Sequence, residues 1–301
     1  MKLILIFAAM FLPTLVASAT TLAEEALLRT PMAHEIFRGR GGVVQVHYVR
    51  LQGYLEGNPS NAIRLEQLKE TVKACLRRRK TEGKPVRPPT TWPDFLQRSR
   101  EDVYYATNRS IRYLTNIAYD VNQDDCSLYE NVTQSADLVS MAGSCDVDLK
   151  AKNAKGYCPA DGHASAPVTR AGPPVMADEV LKQMAADPRM ATAVENIRKA
   201  LKKLSTATGM KREVLGFECE MWDQPAAPGG GTACYTKAGS FVPSLGARNQ
   251  GEAGMLVELD TKFGFKMKAV SVKTDTVVSS LVFVPYRQEG FTSTNSQRGR
   301  K

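Results

Sequence analysis

Two features of this chain bear most on what it can fold into: its first nineteen residues and the six cysteines behind them. Lys2 gives a positive start, Leu3 to Val16 is apolar and contains Pro13, and Ala17-Ser18-Ala19 supplies small residues at the recognition positions. That pattern reads as a secretory signal cleaved after Ala19. The apolar run is shorter than the roughly 20 residues needed to span a bilayer. No cysteine follows the small residues, which argues against a lipid anchor. The expected location is periplasmic or secreted, with no transmembrane segment after cleavage. Cys75, Cys126, Cys145, Cys158, Cys219 and Cys234 all lie in the exported part. An even set in an oxidising compartment reads as disulfides. Six cysteines allow about 15 pairings; proximity favours Cys219 with Cys234, Cys126 with Cys145, and Cys75 with Cys158. No C-x-x-C occurs, and no cysteine and histidine share zinc-ligand spacing. Neither a metal nor another cofactor is expected.

The chain divides into segments 1–19 (signal), 20–152, 153–174 (a linker rich in Ala, Gly and Pro), 175–290 and a flexible basic tail, 291–301. Each half reads as helices followed by strands. In the first, Leu22 to Leu28 is a short helical stretch. Val44 to Leu55 is expected to be helical because Val44, Tyr48, Leu51 and Leu55 recur at three and four. Asn61 to Lys80 is the clearest helix, with Ile63, Leu65, Leu68, Val72, Cys75 and Leu76 mostly on one face. Lys84 to Pro93 breaks it with prolines, and Trp92 to Arg100 adds a further helical turn. Val103 to Ala106, Ile111 to Val121, Ser127 to Val132, Ala136 to Met141 and Cys145 to Lys150 then suggest an antiparallel meander.

The second half opens with helices over Met176 to Ala186 and Pro188 to Thr206, the latter with Asp187 as cap and proline at its first position. Strand-like runs follow at Glu213 to Trp222, Thr232 to Lys237, Gly254 to Asp260, Phe265 to Lys273 and Ser280 to Val284.

The stretch from about Gly209 to Tyr286 resembles uncharacterised periplasmic proteins with a lipoprotein-carrier-like (LolA/LolB-like) half-barrel. The residues that carry the likeness are Val214-Leu215-Gly216-Phe217-Glu218-Cys219, Ala233-Cys234-Tyr235-Thr236, Gly254-Met255-Leu256-Val257-Glu258 and Ser280-Leu281-Val282-Phe283-Val284-Pro285-Tyr286. The resemblance covers roughly a quarter of the chain, and the polar, basic tail after Pro285 departs from it. It implies an α+β fold: a curved antiparallel sheet, or half-barrel, with packed helices, here preceded by a helix-rich then β N-terminal half. It also implies a space between sheet and helices for an acyl chain or apolar peptide. Alternation alone would line that space with Phe217, Met221, Tyr235, Met255 and Phe265.

Motifs for catalysis are missing. His34, His47 and His163 lack zinc-protease spacing, and no Gly-x-Ser-x-Gly elbow or phosphate-binding glycine loop occurs. Asp124-Asp125 lacks the further ligands of a calcium loop. Asn108-Arg109-Ser110 and Asn131-Val132-Thr133 match glycosylation acceptors.

The formal net charge of +9 is uneven. Residues 64–100 carry a net +7, residues 101–170 a net −4 and residues 171–301 a net +5. The focus is Arg77-Arg78-Arg79-Lys80, at a helix C-terminus where cations are favoured. It could face an anionic partner such as phosphate head groups or an envelope protein. Nucleic acid is disfavoured, since aromatic residues do not interleave with the run. Two functions are therefore expected. One is a non-enzymatic exported protein binding an apolar ligand, an acyl chain or a lipoprotein segment. The alternative is an envelope assembly or interaction protein that docks through the basic helix end without a small-molecule pocket.

Overall fold

A computed structural model of the chain describes residues 31–55, 60–140, 143–159, 206–225, 230–243 and 254–295. The signal, the helical stretch expected at Leu22 to Leu28, most of the expected linker, residues 176–205 of the two expected helices, His163 and the end of the basic tail lie outside these residues; Thr206, expected to close the second helix, opens a strand.

The described chain is dominated by one sheet. A short helix, α1 (Ala33–Ile36), precedes β1 (Val43–Leu55), and a long one, α2 (Ser60–Thr81), follows it. Then come β2 (Gln97–Ala106), β3 (Arg109–Val121), β4 (Leu128–Ser140), β5 (Gly143–Asp148) and β6 (Asn153–Gly156). The second run comprises β7 (Thr206–Val214), β8 (Phe217–Asp223), β9 (Gly231–Thr236), β10 (Met255–Thr261), β11 (Phe265–Ser279) and β12 (Thr292–Asn295). The order across the sheet is β12-β6-β5-β4-β3-β2-β1-β11-β10-β9-β8-β7. Two meanders thus meet back to back where β1 pairs antiparallel with β11. Among the described strands only the β12–β6 pair is parallel.

This overturns the expected α+β architecture. The N-terminal half is not helix-rich: Val44 to Leu55 lies in β1, and Gln97 to Arg100 opens β2. The physical reason is burial on both faces. Val46, Tyr48, Val49 and Leu51 are all fully buried, so β1 lacks the clean alternation of a half-exposed strand. Register shifts between Val46 and Tyr48 and between Arg50 and Leu51 disturb what alternation remains. Its β-branched residues, Val43, Val44, Val46 and Val49, favour the pleated backbone. The meander after residue 103 is present, with the two segments between Ser127 and Met141 forming the single strand β4. Asn153 to Gly156, expected to start the linker, forms β6. Ser280 to Val284, expected as a strand, opens as a 3-10 turn, Ser280–Phe283, followed by another, Pro285–Arg287.

Those turns cover one face of the sheet. Val282, Phe283, Val284 and Tyr286 pack with Val46, Tyr48, Tyr104, Ile111, Leu138 and Val147 in a first core, which α1 joins through Ala33 and Phe37. The Tyr113 hydroxyl donates to the Val282 carbonyl at 2.5 Å, and that of Tyr286 to the Pro159 carbonyl at 2.6 Å. The Arg109 guanidinium lies 4.4 Å from the Phe283 ring centre. A second core occupies the other face, built from Val49, Leu51, Val103, Tyr105, Val214, Met221, Met255, Val257, Met267 and Ala269. The sheet bends around it. Tyr105 on β2 hydrogen-bonds the Leu256 backbone on β10, although β1 and β11 lie between them. Flat, those strands would sit about 14 Å apart, farther than a tyrosine side chain reaches.

Three disulfides join Cys75 to Cys126, Cys145 to Cys158 and Cys219 to Cys234. The last is the expected pair. The other two differ from expectation because β4 and β5 pair Leu138 with Cys145, which keeps Cys145 on the sheet beside the chain leaving β6. Cys126, at the β3–β4 turn, instead meets α2. Three disulfides fit an exported protein. Among the described residues no helix is long and apolar enough to cross a membrane.

Candidate functional site: the basic end of α2

The helix α2 forms where expected, but most of its surface is open. Among residues 61–81 only Val72 and Cys75 are buried. They pack with Val121 and Cys126, with Leu68, Leu76, Trp92 and Leu128 partly buried around them. This third core is small, and the Cys75–Cys126 bond runs through its middle. At the helix start the Asn61 amide donates to the Asp94 carbonyl at 2.9 Å. Pairs of Glu66 with Lys69 and of Glu70 with Lys73, both at 2.7 Å, run along the outside. Such exposed pairs add little, because water and salt screen them.

The four-residue basic run divides in two. Arg78 turns toward the sheet and donates to the Gln123 carbonyl at 3.0 Å and to its side-chain Oε1 at 2.9 Å. Arg79, only 13% exposed, lies 3.6 Å from Glu82. Arg77 and Lys80 are exposed, as is Arg78 despite its bonds to Gln123, so Arg79 alone of the four is half-buried. Helical spacing places Lys73, Arg77 and Lys80 at i, i+4 and i+7, on one stripe. That stripe lies opposite Leu68, Val72 and Cys75. Lys84 continues the positive charge past the helix, 3.0 Å from Glu82, beside Val86, which is 40% exposed. What this arrangement can do is attract anions. Among the described residues no group of His, Cys, Asp or Glu could hold a metal ion.

The residues expected to line an apolar pocket do not all converge. Met221 and Met255 are buried in the second core, with Phe265 packed partly against it. Tyr235 and Phe217 are half-buried and outside that cluster. An open depression of about 560 Å³ lies elsewhere, over β4, β5 and β6, and most of the residues around it are polar, Asn131, Asp137, Asp146, Asp148, Lys150 and Lys155 among them.

His47 is a packing residue. It is fully buried and stacks on Phe241 with ring centres 3.8 Å apart. Its Nδ1 accepts the Asp275 backbone N–H at 3.1 Å, so Nε2 carries the proton donated to the Phe241 carbonyl at 2.9 Å. Gly239, at φ +107°, lies so close that a Cβ there would strike the imidazole ring.

A buried polar cluster escaped the sequence reading. Tyr48, Arg50, Asp102 and Tyr104 share the first-core face, since Tyr48 sits opposite Tyr104 and Arg50 opposite Asp102. The Asp102 carboxylate accepts the Tyr48 hydroxyl at 2.6 Å and Arg50 Nε at 2.8 Å, with Arg100 Nε at 3.2 Å. Burial, then the nearby Asp102 charge, pushes the Tyr48 hydroxyl far above its usual range. His34 reaches in from α1, its Nδ1 2.8 Å from the Tyr104 hydroxyl. The available signal was the alternation Arg98, Arg100, Asp102, Tyr104, which fits a strand.

No protein-family model matches this chain, and no curated protein does. Among solved structures it is similar to two described as "Structure of PNGF-II in P21 space group" and "Structure of PNGF-II in C2 space group". The first is 9% identical with a TM-score of 0.35, and the match covers 84% of this chain and 32% of that one. The second is 8% identical with a TM-score of 0.34, covering 84% and 31%. This chain thus spans about a third of the length of the protein it matches. At these scores the likeness carries no argument about function and does not show a lipoprotein-carrier-like fold.

Proposed function

We propose that this is an exported, disulfide-stapled sheet protein of the periplasm or cell exterior that docks on anionic head groups through the outer stripe of α2. The observation that carries the reading is the orientation of the helix end. Arg77 and Lys80 are exposed together with Lys73, on the side away from the small core at Val72 and Cys75. The disulfide at Cys75 ties the helix to the β3–β4 turn and leaves that stripe free of the sheet. Each Lys or Arg near an anionic membrane surface contributes about 1 kcal/mol. Three such residues would give weak, reversible binding that salt weakens.

Co-sedimentation with phosphatidylglycerol vesicles tests this. Binding that falls as salt rises, and is absent on phosphatidylcholine vesicles, is the expected result. Equal binding to both vesicle types would refute it.

A further inference from the structure

We propose that α1 is a latch that His34 holds shut at neutral pH and releases in acid. The helix has four residues, too few to persist on its own. Its place depends on what it touches. Ala33 and Phe37 are buried in the first core. His34 meets the rings of Tyr48 and Tyr104 edge-on, at 5.2 and 5.7 Å between centres.

The hydrogen bonds at Tyr104 favour one protonation state. The Tyr104 hydroxyl accepts the His34 backbone N–H at 3.3 Å. His34 Nδ1, 2.8 Å away, is placed to accept the hydroxyl's own proton. Nδ1 can do so only in the neutral imidazole. A proton on Nδ1 would make the hydroxyl accept from both groups and turn its own proton away from His34, which costs the hydroxyl its acceptor. The tyrosine cannot relieve this by ionising, because burial and then the Asp102 charge push its hydroxyl far up.

Every element around the imidazole contributes a titratable or charged group. They are Glu35 from α1, Tyr48 and Arg50 from β1, Asp102 and Tyr104 from β2, and Lys273 from β11. Two acids and two cations leave little net field. Burial is the largest influence and lowers the His34 pKa from its ordinary 6.5. A lowered value in the latched state means that the released state binds the proton more tightly. The latch is thus at full strength above pH 6.5 and weakens as pH falls below it. Linkage limits the gain in opening to about tenfold per pH unit below 6.5.

Hydrogen exchange on the signal-free full chain, corrected for intrinsic rates, is the test. Between about pH 7.5 and pH 5, residues 32–37 should lose protection while β3 and β4 keep theirs. The His34 imidazole, followed by NMR in the wild-type protein, should titrate below 6.5 and in step with that loss. The variant His34→Gln offers Tyr104 an acceptor that does not titrate, and its α1 should show no pH-dependent step. The proposal falls if wild-type α1 stays protected throughout, if the imidazole titrates at or above 6.5, or if His34→Gln opens with the wild-type midpoint.

Discussion

The two longest elements near the N-terminus, β1 and α2, use their side chains in opposite ways. On β1 successive residues from Val46 to Val49 are all buried, on alternating sides. The α2 helix spans 22 residues, yet between 61 and 81 it buries only Val72 and Cys75. The strand is architecture: it joins the two meanders and supplies both large cores. The helix adds little core, is held by one disulfide, the small core around it and a few hydrogen bonds, and presents seven Lys or Arg residues against two Glu. A helix polar on most sides needs a reason to persist. Here the tether at Cys75 keeps it in place, and the outward stripe gives it a use.

Changes beside β1 should be the most damaging. Asp102→Ala leaves Arg50 and Arg100 buried without their shared carboxylate. It should cost about 3–5 kcal/mol in urea unfolding. A loss below about 1 kcal/mol would mean that water replaces the carboxylate. Removing the α2 tether with Cys75→Ser/Cys126→Ser opens a loop whose ends are 51 residues apart. The chain-entropy model puts that loss at roughly 4 kcal/mol. With that staple gone, limited proteolysis should cut within α2 while β3 and β4 stay intact. Tyr104→Phe deletes both part-buried hydrogen bonds to His34 and should cost about 1–3 kcal/mol. At the small end, Arg77→Ala/Lys80→Ala should change stability by no more than about 0.5 kcal/mol. A larger loss would make the stripe part of the fold and erase the contrast with β1.

How much of this was legible follows from the same contrast. The α2 helix was readable because Leu68, Val72, Cys75 and Leu76 recur at helical spacing. The β3 to β5 meander was readable because turn residues divide short runs of Tyr, Val, Ile and Thr. The β1 strand was misread because burial on both faces and two register shifts left Val44, Tyr48, Leu51 and Leu55 at a spacing that mimics a helix. Two disulfides were misassigned because sequence distance says nothing about which strand edge faces α2. The four-cation run was visible, but its division was not. Only the packing of Val72 and Cys75 fixes the rotation that turns Arg78 toward Gln123 and leaves Arg77 outside.

That rotation supplies the most direct test of the docking account. Binding to phosphatidylglycerol vesicles should be measured for two charge reversals of equal size, Arg77→Glu/Lys80→Glu on the outer stripe and Arg78→Glu/Arg79→Glu on the inner side. Removing two favourable cations alone predicts a loss of about thirtyfold for the outer pair, and reversal should exceed it. The inner pair should lose distinctly less. Equal losses would reduce the effect to net charge, and unchanged binding by the outer pair would contradict docking through α2.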